Sequence, residues 1–178
     1  SAWDCFGTLN PADDPDIMNT KGDWLHANSF NYDSEGNYYM TTNRDSELWK
    51  INGKTGELVY RVGKNGTVKP TENLLSHGIH CAVVQAPNEV LVIDNARENK
   101  TTGSRALIYK VNEHSKTVSV PLEVALPKGQ FSTTRSNVQF IDNQHVLFAL
   151  STQKQVIITN RNTTPEIYRT LLLPQTFY

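Results

Sequence analysis

Cysteine is scarce in this chain: its 178 residues include two, Cys5 and Cys81. They lie far apart and match no metal-ligand spacing. They admit either a single disulfide or a buried free thiol at Cys81, which follows His80 and points to the opposite face of a strand; the redox compartment stays open. An excess of one charge is also missing, with 17 basic residues against 18 acidic ones, and the basic residues are scattered. Such a surface has no electrostatic footprint for phosphates, so nucleic acid is not an expected partner. No apolar run approaches the roughly 20 residues that cross a bilayer, so no membrane span is expected. The opening Ser1-Ala2-Trp3-Asp4 has no Met, no basic n-region and no apolar h-region, and reads as the start of a processed piece of a longer protein. Three glycosylation-type triplets begin at Asn65, Asn99 and Asn162; in a bacterial protein they are only turn sequences.

The helical period is absent too. What is present is a succession of short β-type runs, each ended by turn chemistry. Residues 1–22 are rich in Pro, Asp and Asn and read as loop or linker. From Asp23 the runs Leu25 to Tyr32, Asn37 to Thr42, Glu47 to Ile51 and Glu57 to Val62 make a four-stranded meander. A second set follows at His80 to Val84, Glu89 to Asp94, Ala106 to Val111 and Thr117 to Val124. A third follows at Asn137 to Ile141, His145 to Leu150, Gln155 to Thr159 and Glu166 to Leu172. With His26, His80 and Ser136 superposed as starting residues, the period is roughly 55 residues, in the range of propeller blades with long loops. The expected fold is all-β: three four-stranded antiparallel blades, at about 23–63, 77–125 and 134–173. Propellers close with about four to eight blades, so three blades imply a partner: the missing N-terminal half of the ring, or a second copy of the chain. A β-sandwich fits the local pattern but not the repeat.

In a propeller the first strand of every blade lines the central channel. His26, His80 and Ser136 open those strands, and Asn28 shares a side with His26 by alternation. Arg44 occupies the loop between the second and third strands of its blade, and Asn95 to Arg97 is the matching loop of the next. Two imidazoles, a guanidinium and several amide or hydroxyl donors suit an anion. Each has a plainer reading: a strand-opening histidine is by default structural, Arg44 beside Asp45 and Glu47 is by default a solvated charge, and Trp24 is a packing residue. His77 and His80 have a spacing seen in metal sites, but the segment offers no third ligand beyond Asp94, so no metal is assigned. Gly53-Lys54-Thr55 fails as a phosphate loop, because Leu48 stands where the first glycine belongs and no helix follows. It reads as a hairpin turn.

Taken in order, Asp23-Trp24-Leu25-His26-Ala27-Asn28-Ser29, Tyr32-Asp33, Thr41-Thr42-Asn43-Arg44-Asp45-Ser46 and Lys50-Ile51 resemble the pattern around two active-site residues of the bacterial arylsulfate sulfotransferases. Gly78-Ile79-His80-Cys81-Ala82, Val90 to Ile93 with Asp94-Asn95, and Ser104 to Val111 resemble that family's nucleophile segment and the strand after it. The resemblance implies a six-bladed propeller in an extracytoplasmic, periplasmic setting. Its channel would move a sulfuryl group from an aryl sulfate donor to a phenolic acceptor through a sulfated histidine, with no nucleotide donor and no cofactor. By matching motif, His80 is the nucleophile, His26 and Arg44 hold the sulfuryl and bridging oxygens, and Asn28 adds a donor. Thr133 to Asn137 resembles a further channel stretch that contributes a hydroxyl, from Thr134 or Ser136. Two departures stand out. Ile79 replaces a polar residue before the nucleophile, and a further family histidine belongs to earlier blades, so the half-site alone is expected to be inactive.

The chemistry agrees with these residue types. Transfer through a loose in-line transition state, by analogy with phosphoryl transfer, requires mainly positioning and charge stabilisation. Neutral imidazole is a competent nucleophile and a covalent intermediate divides the reaction. Arginine supplies forked donors, and His26 can give a proton or hydrogen bond to a departing phenolate. The rivals are a non-catalytic propeller that binds a partner through its channel face, and a metal-dependent lyase or hydrolase.

Overall fold

The structure, a computed structural model, describes residues 25–96 and 103–174. Twelve strands form three sheets of four, each an antiparallel meander in chain order. The first sheet holds β1 (Ala27–Tyr32), β2 (Tyr38–Thr42), β3 (Glu47–Ile51) and β4 (Leu58–Val62). The second holds β5 (Ile79–Ala86), β6 (Glu89–Asp94), β7 (Arg105–Asn112) and β8 (Thr117–Ala125). The third holds β9 (Asn137–Phe140), β10 (His145–Leu150), β11 (Gln155–Asn160) and β12 (Ile167–Leu172). A 3-10 turn at Glu72–Leu74 is the only helical element among the described residues. The expected linker at 1–22, with Cys5, lies outside the described residues, as do Asp23, Trp24 and Arg97.

The turns form where Asp and Asn signalled them, because a short carboxylate or amide can accept backbone N–H groups two to four residues on. Asp33 Oδ1 accepts the amides of Glu35 and Asn37, both at 2.9 Å. Asn52, Asn112, Asp142 and Asn160 do the same in later turns. Most of these residues sit at one end of the sheets, away from the strand openings that carry His26 and His80.

Alternation along the strands buries two faces of the second sheet. Val90, Val92, Leu107 and Tyr109 pack with Tyr39, Leu48, Tyr60 and Val62 of the first sheet. Cys81, Leu91, Ile93, Ala106 and Val124 pack with Val138, Val146, Phe148 and Ile157 of the third. The sheets therefore stack face to face, and the first strands meet: β1 lies against β5, and β5 against β9. Large exposed apolar side chains belong to the two outer sheets: Phe30, Tyr32, Tyr38 and Val59 on the first, Ile141, Tyr168 and Leu171 to Leu173 on or beside the third. Phe30 and Tyr38 stack on each other with centroids 5.1 Å apart. The middle sheet has a neighbour on each face and exposes no such residue.

A polar clamp joins the first two sheets at their turn end. Lys50, buried in β3, reaches Asn88 Oδ1 at 2.8 Å and Glu113 Oε1 at 2.6 Å, with Asp33 Oδ2 at 3.9 Å. Tyr39 donates its hydroxyl to Asp33 Oδ2 at 3.0 Å and accepts the Asn88 amide at 2.9 Å. Burial opposes ionisation of Asp33, but the donors from Asn37, Tyr39 and Glu35 outweigh it and hold the carboxyl below its ordinary value. Its folded-state pKa thus lies below the unfolded value of about 3.9. The stability it contributes is fully present above that pH and is lost as pH falls through the folded-state pKa. Asp33→Ala should cost about 2–4 kcal/mol at neutral pH by stripping a charged acceptor from several donors. Urea midpoints measured from neutral to acid pH should show the variant losing less stability on acidification than the parent; parallel curves would contradict this assignment.

Cys81 is a free thiol, 6% exposed in the seam between the second and third sheets. Burial pushes its pKa up to about 11. In a Cys5→Ser background, Cys81 should resist an aromatic disulfide reagent at about pH 8 until the protein unfolds, since the thiolate is the reactive form. Reaction at the rate of a free thiol in the native state would refute this packing.

Candidate functional site

The strand pairing corrects the superposition of His26, His80 and Ser136. The last residue of each second strand fixes the comparison: Thr42 pairs with Ala27 and Asp94 with Ile79. In the third sheet Ala149 pairs with Asn137, which puts Ser136 opposite Leu150. Ahead of each stands a residue of positive φ: His26 at 45°, Gly78 at 109° and Arg135 at 56°. His26 therefore matches Gly78 and Arg135; Ser136 matches Ala27 and Ile79; His80 matches Asn28 and Asn137. The further evidence for the first match is a shared hydrogen bond. The Asn43 amide donates to His26 O at 3.0 Å, and the Asn95 amide to Gly78 O at 3.2 Å.

His80 and Asn28 also share a bulge. Ala27 and Ser29 of β1 pair with the adjacent Thr42 and Thr41, so Asn28 is the extra residue. Ile79 and Ala82 of β5 pair with Asp94 and Val92, so His80 and Cys81 face one residue of β6. The pairing of β9 with β10 has no such shift. Bulges re-aim side chains and occur beside active sites. His26 is exposed, in a left-handed turn that is uncommon for a residue with a Cβ. His80 is half-buried.

The first sheet holds the bulged opening of β5 with its side chains. Ser46 Oγ accepts the Gly78 amide at 2.7 Å, and Ser76 Oγ donates to Ser46 O at 3.0 Å. Asn28 Nδ2 donates to Ile79 O at 3.5 Å, Thr41 Oγ1 to His80 O at 3.1 Å, and Asn31 Nδ2 to Ala82 O at 3.2 Å. Arg44, exposed, lies in the β2–β3 turn two residues before Ser46. His26, Asn28, Arg44 and His80 are thus brought to the same end of two adjacent sheets, and the turn that carries Arg44 is tied to the segment that carries His80.

Thr134 and Ser136 belong to a hydroxyl cluster at the same end of the third sheet. Thr134 O accepts from Ser132 Oγ at 2.8 Å and Ser151 Oγ at 2.7 Å. Ser136 is buried and turns its hydroxyl back to Thr134 O at 3.4 Å. Thr134 is half-buried.

Asp94 is fully engaged. Its Oδ1 accepts the amides of His77 and Ala96 at 2.8 and 2.9 Å, and its Oδ2 accepts Arg105 Nε at 2.9 Å. Arg105 also reaches Glu123 Oε1 at 2.9 Å and Leu75 O at 2.5 Å. These contacts give Asp94 a structural task beside His77. No group of three His, Cys, Asp or Glu residues is arranged to hold a metal among the described residues. A cleft of about 820 Å³ beside Asp94, lined by His77, Arg105, Glu123 and Lys128, has its guanidinium neutralised by two carboxylates. Beyond that guanidinium, the described lining offers one lysine, Lys128, which is exposed.

Buried polar atoms without hydrogen bonds mark the same end of the molecule. They include Thr42 Oγ1, both amide atoms of Asn95, and Oε1 of Gln130, Gln153 and Gln155. Each such atom costs roughly 1–3 kcal/mol. Among the described residues the opposite end, with its satisfied turns, has none. An expense concentrated at one end is a feature of sites more than of cores.

Sequence reasoning missed Thr41, Asn31 and Ser46, which hold the opening of β5 from the first sheet, and Ser29, which backs Thr41. Ser29 and Asn31 had one signal, polarity around Phe30 in β1, where a strand buried on both sides would be apolar; Thr41 in β2 and Ser46 in the following turn had none. No helix among the described residues is long and apolar enough to cross a membrane.

Comparison with known proteins agrees with this architecture. The β-propeller domain of Myceliophteria thermophila Cps50 (Swd1), a solved structure, superposes with a TM-score of 0.51 at 16% identity; the match covers 82% of this chain and 42% of that one. That likeness concerns the fold alone. No curated protein sequence is significantly similar to the chain. The profile of the family Arylsulfotransferase (ASST) matches residues 2–170. With the profile running through all three sheets and the opening of β5, the chain belongs to the arylsulfotransferase family.

Proposed function

We propose that the chain forms part of a sulfotransferase that moves a sulfuryl group from an aryl sulfate ester to a phenol through His80. The observation that supports this reading is the location of His26, Asn28 and Arg44 at the same end of the adjacent sheet as the bulged strand opening that bears His80, in a chain of this family. In the first step an imidazole nitrogen of His80 bonds to sulfur while the sulfur–oxygen bond to the aryl group breaks. The leaving phenolate takes a hydrogen bond or proton from His26. In the second step the oxygen of the acceptor phenol bonds to sulfur as the nitrogen–sulfur bond breaks and the phenol proton is released. Arg44 supplies fixed positive charge and forked donors to the sulfuryl oxygens. Asn28 matches His80 in register and adds an amide. Of the two hydroxyl candidates Thr134 fits better, because Ser136 spends its hydrogen bond inside the loop. The reaction needs no cofactor.

The exposed aromatic and aliphatic faces of the outer sheets support a ring completed by further blades, from the remainder of the polypeptide or from a second copy. Membership of the family supports a compartment outside the cytoplasm, and a half-ring alone is expected to be inactive.

The test is mass spectrometry of the protein with its complete propeller, incubated with an aryl sulfate and no acceptor. The wild type should gain one sulfuryl group on His80, and His80→Ala should gain none and lose turnover by more than about 10³-fold. Arg44→Ala should lower kcat about 10²- to 10³-fold, as removal of one transition-state donor does elsewhere. Sulfation or turnover surviving in His80→Ala would reject the mechanism. Absence of turnover in the wild type with every aryl sulfate tried would favour a ligand- or protein-binding propeller.

A further inference from the structure

The opening of β5 owes its geometry to the neighbouring sheet as much as to its own. Thr41, wholly buried in β2, donates its hydroxyl to the carbonyl of His80 at 3.1 Å. Its oxygen lies 2.7 Å from Ser29 Oγ. A threonine hydroxyl has one proton. Since that proton goes to His80, the proton between the two hydroxyls is Ser29's. The bonds therefore run in one direction, from the Ser29 hydroxyl to the Thr41 hydroxyl to the His80 carbonyl, and cross from the first sheet to the second. A valine would fill the same space in a strand without burying a hydroxyl. The hydroxyl is used at His80, which is half-buried, whereas Cys81, the other residue of the bulge, is buried in the apolar seam.

We propose that Thr41, backed by Ser29, is a positioning residue for His80. It fixes the peptide plane of the bulged residue, and with it the direction from which the imidazole approaches sulfur. This rests on the reading of His80 as the nucleophile. Thr41 bonds to the His80 carbonyl, so it acts through the backbone. Asn31 makes the same kind of bond between the sheets two residues further along, to Ala82 O at 3.2 Å. It therefore provides a control for a purely structural contact.

The experiment is steady-state kinetics with a nitrophenyl sulfate donor and a phenol acceptor, using the protein with its complete propeller well below each variant's Tm. Thr41→Val should lower kcat by about 10- to 100-fold with the donor KM within about twofold, as a small misplacement of a reacting group does. Thr41→Ser, which keeps the hydroxyl, should restore kcat to within about threefold of the parent. Asn31→Ala should lower Tm and leave kcat per folded molecule within about twofold. A Thr41→Val protein with reduced Tm and parental kcat would overturn the proposal, as would Thr41→Ser failing as badly as valine, since packing and not the hydroxyl would then matter. If Thr41→Val does not fold, the less buried Ser29→Ala takes its place: a fall in kcat of about three- to tenfold supports the proposal and an unchanged kcat overturns it. His80→Ala separates the two claims. Activity in that variant removes the nucleophile and the positioning role together, whereas a dead His80→Ala beside an unaffected Thr41→Val removes the positioning role alone.

Discussion

An inner strand has one edge with no neighbouring strand, and its backbone groups still need partners. In this molecule the preceding sheet supplies them to β5 with side chains. Ser46 takes the Gly78 amide, Asn28 and Thr41 donate to the carbonyls of Ile79 and His80, and Asn31 donates to that of Ala82. The bulge at His80 makes this necessary, because a residue out of step with β6 loses regular ladder bonds. At the other end of the same seam, Lys50 and Tyr39 perform the equivalent service for the β5–β6 turn at Asn88. Between these clamps lies an apolar seam of Tyr39, Leu48, Val62, Ile79, Val90 and Val92. The first two sheets are thereby held in register at both ends.

The ends differ in what they ask of the chain. At the turn end, Asp33, Asn52, Asn112, Asp142 and Asn160 spend their oxygens on backbone amides, which makes that end self-sufficient. At the strand-opening end, His26 occupies a left-handed conformation, and Thr42 and Asn95 bury polar atoms with no hydrogen-bond partner among the described residues. Left-handed residues occur at both ends, Asn88 and Lys116 among them at the turn end, but the unsatisfied buried polar atoms among the described residues gather at the strand-opening end, the pattern expected where function overrides stability. Both ends come from the same strands, so composition alone does not separate them.

The strands were legible because their punctuation was chemical. Glu47 to Ile51, Glu89 to Asp94 and His145 to Leu150 were read with the bounds the structure gives them, since Asp or Asn stands ahead of each run and Asn follows the first two. The repeat was legible as a period but not as a residue-by-residue alignment. Two histidines at strand openings invite superposition, yet the left-handed turn places His26 opposite Gly78, and His80 falls two positions later. Glycine and histidine look unrelated in a sequence; a shared positive φ and a shared carbonyl acceptor make them equivalent. Ser136 was offered as a channel hydroxyl for its place in the repeat, and only its bond to Thr134 O shows that the hydroxyl faces inward. Thr41 was quoted within a motif and given no role, because a hydroxyl bonded across sheets has no spacing signature.

The seam between the second and third sheets is built differently, and the contrast bears on the site. It is apolar through Cys81, Leu91, Ile93, Val138 and Phe148, and β9 pairs with β10 without a bulge. Its polar contacts gather in the loop around Ser132, Thr134 and Ser151, bonding mainly to one another. The third sheet therefore supports β5 by packing, whereas the first sheet grips it by directed hydrogen bonds. Packing fixes distance well and rotation poorly; a hydrogen bond to a carbonyl constrains the orientation of its peptide plane. A loose sulfuryl transfer depends on in-line alignment more than on bond-making by the protein, so its nucleophile needs orientational control. The residues of β1 and β2 that hold the His80 backbone lie in the same sheet as His26, Asn28 and Arg44. On the proposed mechanism, one sheet thus fixes the direction of His80 and carries the groups that would receive the sulfuryl oxygens, and any displacement of that sheet moves both together.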